Sequence, residues 1–325
     1  MQKVINIDLT PLNQAILHTV VYADIFDYPL RVDEIQRYLT GIPASVEMVS
    51  DLLQNGGLAP RFLNRIGAYY FLPGREQIVS TRQRRQQIAS RLWPQALRYG
   101  RMITRLPFVR MLAVTGSLTM NNVEADADLD YLIVAKTGRL WLCRAFVLAL
   151  GRLSVLEGIR LPLRRHAAGM AHGRHDVARL CPNYLISERS LEFPDQTLYT
   201  AHELAQMVPL AGLDIYDRIR ALNPWVKRFL PNADGAPSLT VQAAGNPPPS
   251  RIQSVLEAVL LTAPGNWIET WEMGRKIRRL RRENENNPEA GFSADLCKGH
   301  FNRHGQKTEQ FLRERLKGFS LELAR

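Results

Sequence analysis

MLAVTGSLTMNNVEADADLDYLIV, residues 111–134, decides the reading of this chain. An apolar run, Met111 to Val114, ends in Thr115-Gly116-Ser117. After ten residues, Leu118 to Ala127, come Asp128 and Asp130, and then a second apolar run, Leu129 to Ala135. Alternate side chains of a strand point to one face. The two carboxylates would therefore project together from one edge of a sheet, toward the Gly-Ser turn. Glycine at the turn lets the backbone approach a phosphate, and the following helix N-terminus and the Ser117 hydroxyl can bind one. Paired carboxylates of this kind hold a hard divalent cation.

The segment resembles the signature of the DNA polymerase beta-like nucleotidyltransferase superfamily: apolar strand, Gly-Ser, spacer, then Asp-apolar-Asp-apolar. The resemblance implies that Gly116 and Ser117 bind the triphosphate of an NTP. It implies that Asp128 and Asp130 bind Mg²⁺ (or Mn²⁺) and carry catalysis, with an acceptor hydroxyl attacking the α-phosphorus in line. The superfamily usually adds a third carboxylate on a neighbouring strand. The candidate strand, RLCPNYLIS (179–187), offers Asn183 there. Asn can ligate a metal weakly but cannot serve as a base. Asp176, Glu188 and Glu203 are the substitutes in the sequence. Glu124 and Asp126 read as a solvated acidic loop.

Around this segment the chain divides into four stretches. Residues 1–75 carry a Thr10-Pro11 helix start and a helix to about Ile25, then helices at Val32–Leu39 and Ala44–Gln54. A hairpin follows, with strands Leu58–Phe62 and Ala68–Leu72 around Asn64-Arg65-Ile66-Gly67. Three helices and a hairpin resemble a winged helix-turn-helix. Its third helix, however, holds Glu47 and Asp51 and neither Lys nor Arg. A recognition helix in a phosphate-lined groove usually carries the opposite charge, so docking to a protein partner or positioning RNA is the better expectation than DNA binding.

Residues 76–106 read as a connecting basic helix. Arg82, Arg84, Arg85 and Arg91, with Arg75 just before it, form either a solvated face or a nucleic-acid-facing surface. Residues 107–190 would be the nucleotidyltransferase core, with strands at 110–115 and 128–135, a helix from Gly138 to Glu157 and the strand at 179–187. Residues 191–325 read as helical: Tyr199–Met207, Leu213–Leu222, Pro224–Leu230, one helix from Ser250 to about Asn284 and a last one from about Gly305 to Leu323. A Pro/Gly-rich loop at 231–250 interrupts them. The fold class expected is α+β: a small mixed sheet flanked by a winged-helix-like unit and a helical C-terminal region. YADIFDYPL (22–30), CPNYLISERSL (181–191) and NPWVKRFLPN (223–232) are similar to a group of bacterial nucleotidyltransferase-like proteins, and the likeness implies that same order of units.

The chain has 325 residues, 46% of them hydrophobic, and 42 Lys and Arg against 31 Asp and Glu, a net charge of +11. That balance favours an anionic partner, RNA, DNA, nucleotide or a membrane surface, without choosing among them. Three cysteines, Cys143, Cys181 and Cys297, argue against a disulfide framework and for a reducing, cytoplasmic setting. The N-terminus lacks an apolar core of signal-peptide type. The longest apolar stretch, Leu140–Leu156, contains Arg144 and Arg152 and reads as a buried helix, so no membrane partner is expected. His166, His172 and His175 sit in a segment that reads as a basic loop with Arg164, Arg165 and Arg174. Asn223-Pro224-Trp225 and Asn266-Trp267 read as helix caps with buried aromatics. Two functions follow: a Mg²⁺-dependent nucleotidyltransferase moving an NMP from an NTP to a hydroxyl of RNA, protein or a small molecule, or a catalytically weak nucleotide-binding regulator that uses the winged-helix-like unit to engage nucleic acid or a partner protein.

Overall fold

In a computed structural model the described residues are 9–55, 58, 61–125, 127–156, 179–237, 249–285, 287–299 and 304–319; the side chains of 152–156 and 179–183 fall outside them. The protein is mixed α+β. Three helices open it: α1 (Pro11–Asp24), α2 (Val32–Arg37) and α3 (Val46–Asn55). The Thr10 hydroxyl accepts from the Asn13 N–H and so caps α1, as Thr10-Pro11 predicts. A two-stranded hairpin, β1 (Asn64–Ile66) and β2 (Tyr69–Phe71), turns at Gly67. The expected first strand, Leu58–Phe62, is displaced by the actual β1 because Leu58 and Leu63 are buried as core side chains.

The long helix α4 (Gln77–Ile103) leads into β3 (Val109–Thr115), a single 3₁₀ turn (Gly116–Met120) and β4 (Asp128–Ala135). Next come α5 (Leu140–Leu156), β5 (Arg179–Ser187), α6 (Leu198–Gln206), β6 (Val208–Ala211), α7 (Leu213–Leu222) and α8 (Val226–Phe229). The chain ends with α9 (Arg251–Leu260), α10 (Ala263–Glu283), β7 (Gly291–Phe292), β8 (Leu296–Lys298) and α11 (His304–Lys317). Three of these strands depart from the helical reading of residues 191–325. Val208-Pro209 does end a helix, but β6 then pairs antiparallel to β3. The two short strands β7 and β8 extend the sheet beyond β5. The single helix expected over 250–284 is two, broken where Pro264 enters the first turn of α10.

The main sheet has six strands in the order β6-β3-β4-β5-β8-β7, with β4 and β5 parallel and the other pairs antiparallel. Strand alternation sorts its side chains into two cores. Met111 and Ala113 of β3 and Leu132 and Val134 of β4 face α1, α6, α7, α8 and α11. Leu112, Val114, Leu129, Tyr131 and Ile133 face α4, α5 and α10. The helices of the N-terminal unit and those of the C-terminal region thus share one core over one face of the sheet. Each fully buried Leu or Ile there contributes roughly 1.5–3 kcal/mol. Helix α5 has Leu140–Cys143 and Val147 buried, as its apolar sequence predicts. Among the described residues no helix is long and apolar enough to cross a membrane.

The basic helix α4 is in part a solvated face and in part tied to acids of its neighbours. Arg82 is 1% exposed and makes a two-pronged ion pair with Glu34, both contacts at 2.7 Å, while its guanidinium lies over the rings of Tyr28 and Tyr69. Burial alone would lower its pKa, but the Glu34 carboxylate outweighs burial and raises it. Arg75 pairs with Asp24 and Asp27, and Arg84 and Arg85 with Glu124. Of the five arginines, Arg84, despite its pair, and Arg91 are exposed to solvent. The charge run is spent on joining α4 to α1, α2 and the loop after the 3₁₀ turn.

Candidate active site

Asp128 and Asp130 continue the row of Leu132 and Val134 on β4, on the face covered by α1 and α6. Leu129 and Tyr131, which alternate with them, are buried on the opposite face, so the register holds the carboxylates where they are. Thr115 is the cross-strand partner of Asp130. The next residue, Gly116, has φ +71°, and a Cβ built on it would lie 2.8 Å from Asp130 Oδ2. Glycine is required here twice over: for the left-handed backbone and for the close approach of the turn to the carboxylate. The turn is closed by Thr119 Oγ1, which donates to the Gly116 carbonyl at 2.7 Å, and by the Asn122 N–H, which donates to the Ser117 carbonyl at 3.0 Å. Asn121, at φ 52°, is held by the Trp93 indole N–H of α4 at 2.8 Å.

Gly116, Ser117, Asp128 and Asp130 all line one cavity of about 420 Å³. The turn and the carboxylates form one end. Tyr22, Phe26 and Tyr28 from α1 and the turn after it, Tyr38 beyond α2, and Tyr184, Tyr199 and His202 form the rest of the wall. The YADIFDYPL stretch thereby becomes structure: its aromatics face the cavity, while Asp24 and Asp27 hold Arg75 and its Tyr28 hydroxyl donates to Glu34 at 2.9 Å. His202 stacks on Tyr22 with ring centroids 4.1 Å apart. Its Nδ1 pairs with the Gln206 side-chain amide at 3.1 Å. Burial, followed by the neighbouring His18, lowers the His202 pKa to about 3, and burial lowers that of His18 to about 4.

Glu203 also lines the cavity, one residue along α6. It accepts from the Tyr199 hydroxyl at 3.3 Å. Burial pushes its carboxyl above the usual carboxylate range, against the pull of Lys298, Tyr199 and His304. Of the two described substitutes for a third carboxylate, Glu188 and Glu203, it is Glu203 that lines the cavity. Glu188 lies past β5, where it accepts from the Thr137 N–H at 3.2 Å. Asp176 lies outside the described residues, with Asp126, His166, His172, His175, Arg164, Arg165 and Arg174. Asn183 sits in β5 where the pairing with β4 shifts register between Asp130 and Leu132; its side chain lies outside the described residues.

No family model matches the chain, nor does any curated protein or solved structure. The site's donor set at the turn is oxygen only, two carboxylates on one strand face beside the Gly116 backbone, which suits a hard divalent cation. Among the described residues no three His, Cys, Asp or Glu side chains stand close enough to hold one metal together. Glu203 thus lines the same cavity as the aspartates without clustering with them. Around the mouth, Arg85 donates to the Phe26 carbonyl at 3.0 Å and to Asn122 Oδ1 at 3.2 Å, and Arg84 and Arg85 grip Glu124. Glu124 is accordingly not the solvated acid its loop suggests.

The other candidates sort cleanly. Trp225 is buried and its indole N–H donates to Asn223 Oδ1 at 3.0 Å, as the Asn-Pro-Trp pattern suggests. Trp267 is the opposite, 69% exposed and stacked on Trp271. Cys143 and Cys297 are buried free thiols, and burial pushes Cys143 up to about 12. The aromatic wall was missed from sequence. Its members are scattered from residue 22 to residue 202, and a lone Tyr at helical spacing reads as core.

Proposed function

We propose that this protein is a Mg²⁺-dependent nucleotidyltransferase, with residues near 107–190 as its transferase core. The observation that carries the reading is the placement of Gly116 against Asp130, with Asp128 and Asp130 side by side at the end of a cavity large enough for a nucleotide. In this reading Asp128 and Asp130 hold the cation, which when bound would neutralise the charge on the triphosphate and its leaving pyrophosphate. Gly116 leaves the backbone open to the phosphates and Ser117 offers its hydroxyl to them. The aromatic wall excludes water and gives the base a stacking surface. Glu203 takes the proton of the acceptor hydroxyl. A carboxyl whose pKa is raised toward the working pH suits that task better than an ordinary exposed one.

The first unit, α1–α3 with the β1–β2 hairpin, fits a winged-helix-like module turned to protein docking. Helix α3 exposes Val46 and Met48 beside its acids and carries no cation. One observation favours a second reading, nucleotide binding without turnover: among the described residues no third carboxylate clusters with Asp128 and Asp130. Calorimetry with ATP, GTP, CTP and UTP in Mg²⁺, beside a turnover assay for pyrophosphate release, separates the two. Binding with release of pyrophosphate supports the transferase. Binding without it, over a range of acceptors, supports the regulator, and no nucleotide binding sinks both.

A further inference from the structure

A second cavity, about 280 Å³, adjoins the first. The two share Thr115, Tyr184, Tyr199 and Glu203 as a common wall. Beyond that wall the second cavity is lined by Asp195, Glu289, Glu309 and Lys298 among its charged residues. Lys298 is already paired, its ammonium 2.7 Å from Asp195. The described lining therefore holds four carboxylates, counting Glu203, against one committed amine. In the first cavity the described lining holds Asp128, Asp130 and Glu203 and neither Lys nor Arg. This is the reverse of the chain as a whole, whose net charge is +11. The negative field is felt by the wall itself: after burial, Glu203 and Asp195 are what raise the pKa of the Tyr184 phenol, and Glu203 that of Tyr199. Aromatic faces and carboxylates with few counter-cations are the surroundings an organic ammonium group prefers. A phosphate-bearing chain in the second cavity meets repulsion from Asp195, Glu289 and Glu309.

We propose that the second cavity is the acceptor subsite and that the acceptor is a small amine-bearing cation with a hydroxyl group, not a nucleic-acid end. The inference rests on the transferase reading of the first cavity. The acceptor's ammonium lies among Asp195, Glu289 and Glu309, and its hydroxyl reaches past Tyr199 and Tyr184 to the shared wall. There the hydroxyl oxygen bonds to the α-phosphorus as the bond from that phosphorus to the β-phosphate oxygen breaks. Pyrophosphate leaves with the electron pair, and the hydroxyl proton passes to Glu203. The +11 charge is left to steer the nucleotide to the surface, while the interior selects the acceptor.

The test is isothermal calorimetry on the full-length protein in Mg²⁺ and a non-hydrolysable ATP analogue, so that Asp128 and Asp130 are engaged. Spermidine is the cationic probe, triethylene glycol its uncharged counterpart, and a short single-stranded oligoribonucleotide the anionic one. Saturable binding of spermidine alone is expected, weakened about tenfold or more by Glu309→Gln, since a charge at contact range in a partly buried site is worth at least that. Asp195→Asn, at a position 56% exposed, should weaken it as well and frees Lys298 to repel the probe. The proposal is overturned if spermidine shows no saturable binding, if neither substitution changes its affinity, or if the oligoribonucleotide binds the cavity and the substitutions tighten it. Binding of the ATP analogue to the wild-type protein is read in the same cell. Its failure would remove the transferase reading, whereas its success without spermidine binding would remove only the acceptor assignment.

Discussion

Lowering the pH from 7.5 to 5.0 should cost this protein stability through two buried histidines. His18 and His202 are 6% and 5% exposed, and among the described residues the His18 ring nitrogens and His202 Nε2 have no hydrogen-bond partner. Burial depresses both, to about 4 and about 3, from the ordinary 6.5. At pH 5.0 both stay neutral in the fold, while in the unfolded chain each is about 1.5 units below its pKa and binds a proton. Stability is thus full above the unfolded pKa of about 6.5 and is lost as pH falls below it, at about 1.4 kcal/mol per pH unit for each histidine. The loss by pH 5.0 is about 2 kcal/mol each. It does not depend on how far below 5 the folded values lie. Glu203 and Glu269, raised by burial, take up protons in the fold at the acid end and act in the opposite direction. A comparison of variants isolates the histidine. His202→Phe keeps a ring on Tyr22 and removes the titration. In urea unfolding followed by tryptophan fluorescence at the two pH values, wild type should lose about 2 kcal/mol more than His202→Phe. Equal losses would refute the reasoning, since they would mean that His202 is not held neutral against solvent.

Four further outcomes follow from single contacts. Gly116→Ala should cost about 1–2 kcal/mol in thermal unfolding, from φ +71° and the 2.8 Å approach to Asp130 Oδ2, and should weaken Mg²⁺-nucleotide binding more than tenfold. Arg82→Ala, which removes the two-pronged cation partner of the 13%-exposed Glu34 carboxylate, should cost about 3 kcal/mol, and a double variant with Glu34→Gln should recover part of that loss, as two-state denaturation would show. Trp267→Ser and Trp271→Ser, both at exposed positions, should leave the midpoint within about 0.5 kcal/mol of wild type. Of the three thiols, Cys143 and Cys297 should resist Ellman's reagent in the folded protein and react once urea unfolds it, because burial keeps both protonated.

The carboxylate half of the site was legible because its information is local. Period-two spacing puts Asp128 and Asp130 on one face, and a Gly before a Ser marks the turn; the strands at 109–115 and 128–135 fall within a residue of where the apolar runs put them. The remainder of the site depends on distance in space. Nothing near Glu203 in sequence says that α6 will carry it to β4, and Tyr22, Tyr38 and Tyr184 are ordinary core residues until three elements meet. The strands β6, β7 and β8 were hidden by length: four residues or fewer, one of them with a proline, carry too little periodicity to stand out from the helices around them. The arginines of α4 show the limit of charge counting. Arg75, Arg82, Arg84 and Arg85 look like a nucleic-acid stripe, and their partners Asp24, Asp27, Glu34 and Glu124 lie between 39 and 51 residues away.

The activity proposed for Asp128 and Asp130 is transfer of a nucleoside monophosphate. The measurement that tests it most directly uses α-labelled NTPs with the purified protein, Mg²⁺ or Mn²⁺ and a cell extract as acceptor source. Label should move from the nucleotide to an acceptor with release of pyrophosphate, and the Asp128→Asn, Asp130→Asn double variant, folded by circular dichroism, should lose the transfer. Transfer by the double variant at the wild-type rate, or none by the wild type above it with any of the four nucleotides, would contradict the account.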